Sequence, residues 1–187
     1  MRLKAINIIV GYRKTTVLFA ALLFVFFSLE TNAQVSREYS IKAAFLYNFT
    51  QFVEWPSAAY NSPEAPFIIG IIGNDPFRTA IDDAIAGEKV KGHPIVIQRY
   101  QNIKDLKLCH ILFVSNKEVG RWKEIKAVLP NKNTLTVSDI PDFATNGGII
   151  RLLTKENKVK LQINLAASKE ADLDISSKLL QLAEIVR

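Results

Sequence analysis

The chain has 187 residues, of which 49% are hydrophobic and 22% are charged, a composition typical of a globular domain with a substantial core. It carries 24 basic and 18 acidic residues, for a formal net charge of +6. Because it has one cysteine, no disulfide can form within this sequence, and packing must stabilise the fold.

The first 33 residues have the pattern of a secretory signal peptide. Four basic residues precede an apolar run over residues 17–29, which is shorter than the roughly 20 residues that a membrane-spanning helix needs. Small residues end at Ala33, where signal peptidase would cleave. An uncleaved signal anchor is the alternative, and the short run disfavours it. We expect residues 1–33 to be removed and residues 34–187 to form one α/β domain outside the cytoplasm.

Removal of the signal peptide lowers the net charge from which a binding partner would be predicted. It takes away four of the 24 basic residues and one of the 18 acidic residues, which leaves a net charge of +3. A modest excess spread along the chain does not predict nucleic-acid binding, and export would put nucleic acid out of reach.

The mature chain begins with a predicted helix over residues 36–54. Its apolar side chains recur at helical spacing: Ile41, Phe45, Phe49 and Phe52. Core packing is the default for such a face, although Tyr and Trp are also favoured at interface hot spots. Trp55 and the adjacent Glu54, at the end of the helix, are the residues here that we predict to bind a partner.

After a loop over residues 58–66, apolar strands alternate with helices. Strands are predicted over residues 67–72, 94–100, 108–115 and 134–137, and helices over residues 76–86 and 117–129. This alternation predicts βα units and a mostly parallel sheet.

The last third of the chain has a different pattern. Residues 148–153 and 158–165 flank a polar four-residue connection, which predicts a β-hairpin. A terminal helix is predicted from about Ser176, with an apolar side formed by Leu179, Leu180, Ala183 and Val186. The predicted fold is a single α/β domain with a mostly parallel sheet flanked by helices, a C-terminal β-hairpin and a terminal helix.

Few residues could support catalysis. The sequence has two histidines, His93 and His110, and contains no zinc-protease, Walker or nucleophile-elbow motif. Cys109 and His110 are neighbours in a predicted strand, so their side chains should point to opposite faces and cannot pair directly. We therefore predict a non-enzymatic protein without a metal or cofactor, in which Cys109 is a buried structural thiol.

Two places in the sequence suggest a small-molecule site. The turn at Gly73, Asn74 and Asp75 joins a strand to a helix, and backbone amides there can hold an anion, but Asp75 would repel one, which favours a purely structural turn. Asn164 is polar where burial is expected, so it needs a partner or anchors the following turn. With Arg151 it is the second candidate site for a small anionic or aromatic ligand.

Five segments, in order, resemble the YfiR family of periplasmic regulators. They are KAAFLYNFTQFVEWP, FIIGIIGNDPF, CHILFVS, TLTVSDIPDFATNGGIIRLL and VKLQINLAASKEADLDISSKLLQLA. The match extends over nearly all of the mature chain. Its most distinctive features are the aromatic helix ending in Trp-Pro, the Gly-Gly entry to the hairpin and the Asn-Leu-Ala-Ala segment.

The resemblance implies a non-catalytic role in cyclic di-GMP signalling. Members of the family bind and repress the periplasmic part of an inner-membrane signalling enzyme, typically a diguanylate cyclase, and others work beside sensor kinases. It also implies a homodimer. The main alternative is a periplasmic small-molecule binding protein, whose ligand would lie near Gly73 to Asp75 or between Arg151 and Asn164.

Overall fold

An eight-stranded sheet organises the chain, in a computed structural model that describes residues 37–130 and 132–186. The strands are β1 (Val53–Glu54), β2 (Phe67–Ile72), β3 (Lys89–Val90), β4 (His93–Tyr100), β5 (Ile111–Val114), β6 (Leu135–Ser138), β7 (Ile150–Lys155), β8 (Lys158–Asn164), β9 (Asp174–Ile175) and β10 (Ala183–Val186). The helices are α1 (residues 37–52), α2 (Ala80–Ile85), α3 (Trp122–Ala127), α4 (Leu165–Glu170) and α5 (Ser177–Leu180). The predicted signal peptide lies outside the described residues, so its cleavage stays a prediction.

The strand order of the main sheet is β10-β8-β7-β6-β5-β2-β4-β3. Five neighbours, from β4 to β7, run parallel to one another, whereas β7 and β8 form an antiparallel hairpin and β3 is antiparallel to β4. The chain passes from β2 to β4 on one side and then returns to β5 on the other side of β2. The order of the strands therefore reverses between β2 and β5, as in doubly wound α/β folds.

Each face of the sheet carries a hydrophobic cluster. On the first face, strand side chains such as Ile69, Phe113 and Val137 pack with Leu46 and Phe49 of α1. The second face carries a smaller cluster around Ile72, Leu112, Trp122 and Phe143. Because parallel strands need both faces covered, the near-continuous apolar runs of β2 and β5 follow from this layering.

The predicted fold class is confirmed. The sheet is mixed but mostly parallel, helices flank it, and the hairpin of β7 and β8 has the predicted two strands and turn. The aromatic helix also forms as predicted, with Phe49 fully buried and Phe45 and Phe52 partly buried against the same cluster. Within residues 37–130 and 132–186, no helix is long and apolar enough to cross a membrane.

The predicted start of α2 is wrong. Neither Asn74 nor Asp75 caps the helix, which begins at Ala80. The carboxylate of Asp75 instead accepts a hydrogen bond from the Phe77 backbone N–H at 2.8 Å, and Arg78 has a φ of 56°. This left-handed residue interrupts the helical path, so the proline signal at Pro76 marks a turn rather than a first helical residue.

The predicted terminal helix is correct only for its first turn. Ser176 caps α5 by accepting a hydrogen bond from the Leu179 N–H, but Ala183 and Val186 lie in β10, which pairs in parallel with β8. Apolar residues at this spacing fit both a helix and a strand over so short a segment. Pairing with β8 gives the strand its backbone hydrogen bonds, and this tertiary contact overrides the local pattern.

Candidate functional site

The crevice predicted near Gly73 lies at the carboxyl ends of β2 and β5, where the strand order reverses. It is filled by an acidic side chain. Gly73 has a φ of +87°, and a Cβ atom built on it would lie 2.7 Å from Oε1 of Glu118. Glu118 in turn forms an ion pair with Arg121 at 3.2 Å. A carboxylate in this position opposes anion binding, which agrees with the structural reading of the turn.

Asn74 and Asp75 lie beside an ion-pair cluster on β4 and α2. Arg99 binds Asp75 through Nε at 2.7 Å and Asp82 through Nη2 at 2.5 Å. The pKa of Arg99 is raised, chiefly by the hydrogen bonds that its guanidinium donates to Asp82, with Asp75 adding to the effect. Asn74 itself is exposed. Arg99 therefore joins β4 to the loop before α2 through Asp75 and to α2 itself through Asp82.

Trp55 and Glu54 lie near the opposite end of β2. The Trp55 indole is 7% exposed, packs edge-on against Phe67 at 4.9 Å, and donates from Nε1 to the His110 carbonyl at 3.1 Å. Glu54 is exposed and forms an ion pair with Lys91. Of the two predicted partner-binding residues, Glu54 is therefore accessible, and Trp55 anchors the end of α1 to the sheet.

The two histidines meet in a stack of rings that the sequence did not reveal. His93 stacks on Tyr60 at 4.3 Å between centroids, Tyr60 contacts His110 at 4.6 Å, and His110 stacks on Phe67 at 4.5 Å. Tyr60 comes from the loop before β2, and the histidines begin β4 and precede β5. The sequence showed only that histidine is scarce. The spacing of His93 and His110 along the chain does not predict that their rings lie in one stack.

His110 is buried and neutral. Its Nδ1 accepts a hydrogen bond from the Ile68 N–H at 3.0 Å, which places the ring proton on Nε2, and Nε2 makes no well-formed hydrogen bond within the described residues. Burial lowers its pKa to about 4, with a smaller contribution from His93 and an opposing one from the backbone of Ala59. A histidine in this state packs as an aromatic ring and is a poor general base.

Cys109 is a buried free thiol, as predicted. Burial raises its pKa to about 12, against a hydrogen bond with Thr134 that lowers it. Its side chain belongs to the second-face cluster, whereas His110 contacts Phe67 of the first-face cluster. The prediction that these neighbours point to opposite faces is confirmed. A thiol protonated at neutral pH is unreactive.

Arg151 and Asn164 lie on the β7–β8 hairpin but have separate roles. Asn164 is buried, donates to the Ala144 carbonyl at 2.7 Å, and accepts from the Ala167 N–H at 2.9 Å, so it caps α4. Arg151 is half-buried and donates from Nη1 to Gln162 at 3.0 Å. Asn164 thus anchors the turn after β8, the alternative that the sequence left open.

Two clefts are open on the described part of the chain. One, of about 290 Å³, lies between α3 and α4, with Trp122, Lys126 and Thr136 among its lining residues. The other, of about 560 Å³, lies beside the end of β4 and includes Arg99, Tyr100 and Lys107. Neither Arg151 nor Asn164 lines them. Among the described residues, no three His, Cys, Asp or Glu side chains are placed to hold a metal ion.

A family model described as YfiR/HmsC-like matches residues 39–184. The chain belongs to the YfiR/HmsC-like family. Membership supports a general role as a periplasmic regulator, in the context of cyclic di-GMP signalling. The matched region includes the whole sheet apart from the last residues of β10.

No curated protein matches the chain. Among solved structures, the chain is similar to a conserved domain protein from Vibrio cholerae O1 biovar El Tor, with 13% sequence identity and a TM-score of 0.48. The match includes 65% of this chain and 55% of that chain, so it extends over about half of the Vibrio protein.

Proposed function

We propose that the protein is a periplasmic repressor that binds the extracytoplasmic domain of an inner-membrane signalling enzyme, either a diguanylate cyclase or a sensor kinase. The observation that carries the proposal is the YfiR/HmsC-like match over residues 39–184. On this proposal the protein acts by binding alone, and release of the enzyme restores its activity.

The chemistry of the fold supports a binding role. Both histidines are held in one stack of rings, and the thiol of Cys109 is buried and protonated. Asp75, the carboxylate at the predicted crevice, is paired with Arg99. These groups stabilise the fold, and none of them is free to act on a substrate.

The proposal includes export by residues 1–33. The mature protein should be recovered from the periplasm with Gln34 as its first residue. Mass spectrometry of the purified N-terminal peptide measures this, and a peptide that begins upstream of Ala33 would instead identify an uncleaved anchor. The homodimer that the family resemblance implies is tested on the same sample by sedimentation equilibrium.

The partner is tested by chemical crosslinking in intact envelopes, followed by affinity purification of the tagged chain. We expect an inner-membrane protein with an extracytoplasmic domain in the adduct, and a change in cellular cyclic di-GMP or kinase output on deletion of the gene. Recovery of soluble proteins alone, together with unchanged output, would refute the repressor proposal.

The second candidate function, small-molecule binding, is favoured by the 290 Å³ cleft between α3 and α4. Its lining includes two lysines, Lys126 and Lys132, against one carboxylate, Glu170, and the Trp122 ring and Ile149 supply apolar surface. A small anion with an apolar body fits this lining. A thermal-shift screen of carboxylates should raise the melting temperature, because a ligand that binds only the folded state must stabilise it. Loss of that shift in Lys126→Ala would place the ligand in the cleft.

A further inference from the structure

One face of the β7–β8–β10 edge of the sheet is cationic. Side chains alternate along a strand, so Leu152 and Ile163 enter the first-face cluster while their neighbours point to the opposite side. The second-face cluster includes no residue of these three strands. The cationic face, as we name it, is formed by Arg151, Lys155, Lys158, Lys160, Gln162 and Glu184.

The strand register concentrates positive charge on this face. Lys155 lies directly opposite Lys158 across the hairpin, and Lys160 follows on the same side of β8. Like charges directly opposite each other destabilise a sheet. None of these three lysines has an ion pair with an acidic residue of the described chain, and all three are exposed. The cationic face therefore carries charge that the fold does not neutralise.

Arg151 extends the charge inward from the lysines. Its Nη1 donates to Oε1 of Gln162 at 3.0 Å, and Nε2 of Gln162 donates to Glu184 at 3.0 Å. These two hydrogen bonds hold the guanidinium in place but use only some of its N–H donors. Nε of Arg151 is buried and has no acceptor in the described residues. Carboxylates are the acceptors that a guanidinium binds best.

We propose that the cationic face binds an acidic surface of the partner's extracytoplasmic domain, with partner carboxylates pairing with Lys155, Lys158 and Lys160. The inference rests on the proposed function for the identity of the partner. Charge complementarity identifies the occupant: four cations and one carboxylate lie on an open sheet face, and half-buried Leu153 and Val186 give it apolar contact area. The net charge of the mature chain, only +3, conceals this local concentration.

The test uses the mature chain and a synthetic ten-residue peptide of alternating glutamate and threonine. The matched peptide has glutamine in place of glutamate, and vesicles of phosphatidylglycerol and phosphatidylethanolamine are the third probe. At low salt, the acidic peptide should bind the protein and shift the amide resonances of β7, β8 and β10. Its affinity should fall as the salt concentration rises. The glutamine peptide should bind at least tenfold more weakly.

The variant is K158E/K160E, and the matched control is K117E/K123E, which changes four charge units on two exposed lysines, one in the segment leading into α3 and one in α3 itself. K158E/K160E should bind the acidic peptide at least tenfold more weakly, with no fall in melting temperature. The affinity of the control for the same peptide should fall less than twofold. Equal losses of peptide affinity in both variants would overturn the proposal. Amide resonances of the protein that shift on peptide binding but lie away from the hairpin would also overturn it. Vesicle binding through Lys158 and Lys160 without peptide binding would overturn it in favour of a membrane surface.

The proposed function and this inference fail separately. If a receptor is recovered from envelopes but K158E/K160E crosslinks to it as well as the unaltered chain does, the repressor proposal stands and the cationic face is not its docking surface. If the peptide binds as expected but no membrane protein is ever recovered, the cationic face stands and the partner proposal falls.

Discussion

Single side chains in this protein show how burial determines chemistry. His110 lies between Phe67 and Tyr60 and accepts one hydrogen bond, and in the described part of the chain its second nitrogen makes no well-formed one. The ring is stable there only when neutral, since a buried imidazolium would lose its hydration and face His93. The same residue in an exposed site would titrate near neutral pH.

This burial predicts a specific pH dependence of stability. The pKa of His110 is about 4 in the folded chain and about 6.5 when unfolded, so acid favours the unfolded state. The stability that the neutral His110 ring contributes is complete above the pKa of the unfolded state. It is lost as the pH falls through the window between the two pKa values. We expect a loss of about 2.5 kcal/mol between pH 7.5 and pH 4.5 from this residue alone.

Urea unfolding at the two pH values measures the loss in the unaltered chain and in His110→Asn, whose amide oxygen can still accept from the Ile68 N–H. The variant should be less stable at pH 7.5 but should show a smaller acid-dependent loss. The same acid-dependent loss in both proteins would mean that other groups are responsible.

The lysine pair across the hairpin gives a second prediction for single residues. Lys158→Glu replaces a like-charge pair with an opposite-charge pair facing Lys155, and cross-strand pairs of this kind contribute about 0.2–1 kcal/mol. We expect the free energy of unfolding to rise by about 0.5 kcal/mol at low salt and the gain to shrink in high salt. Lys123→Glu, on α3, is the control and should show no such gain; a loss of stability in Lys158→Glu would contradict the prediction.

At the scale of elements, the strands whose sequences have one consistent hydrophobic pattern were predicted well. β2 and the β7–β8 hairpin match the predicted strands closely because apolar runs and a polar turn leave one interpretation. Segments decided by tertiary contacts were not. The four residues of β10 become a strand by pairing with β8, and the start of α2 moves to Ala80 because Arg78 adopts a positive φ.

The candidate site was less predictable than the fold. Arg151 and Asn164 were predicted to share a ligand site, but Asn164 caps α4 whereas the half-buried Arg151 pairs with Gln162, and only the fold separates these two roles. Trp55 could not be assigned to the core from its place at a helix end, since its hydrogen-bond acceptor, the His110 carbonyl, lies 55 residues away. Side-chain partners at such sequence separations leave no local pattern.

The entry to the hairpin gives a prediction about backbone packing. A Cβ atom at Gly148 would lie 2.2 Å from Cε1 of Phe143, so the loop before β7 can approach the second-face cluster only with glycine. Gly148→Ala should cost about 2–3 kcal/mol through overpacking. Gly120→Ala is the control, because nothing lies within 4 Å of its added Cβ. Chemical denaturation of both variants should show a loss only in the first, and near-equal stabilities would contradict the predicted clash.

At the scale of the whole molecule, a buried ion pair connects the first helix to the centre of the sheet. Lys42 binds Asp139 at 2.8 Å, with side-chain exposures of 3% and 7%, and Tyr39 donates to the same carboxylate oxygen at 2.7 Å. Asp139 directly follows β6, so this contact joins α1 to the carboxyl edge of the sheet. Together with Trp55, it fixes both ends of the helix.

Removing one member of this pair should be more harmful than removing both. Asp139→Ala leaves the buried Lys42 ammonium without its carboxylate and should cost about 3–5 kcal/mol, while Lys42→Met with Asp139→Leu should recover most of that loss. Guanidinium unfolding of the single and double variants measures the difference. A double variant less stable than the single one would show that the favourable energy of the ion pair itself holds α1 in place.

The attachments of α1 also determine when it can fold. Lys42 must wait for Asp139, and Val53 pairs with Ile175 in the short β1–β9 ladder, so the first helix gains these two contacts only after most of the chain is available. A chain that emerges from its N-terminus presents Phe45, Phe49 and Phe52 without their full cover during that interval. Such a delay makes the nascent helix a natural substrate for chaperones and a point at which early aggregation would begin.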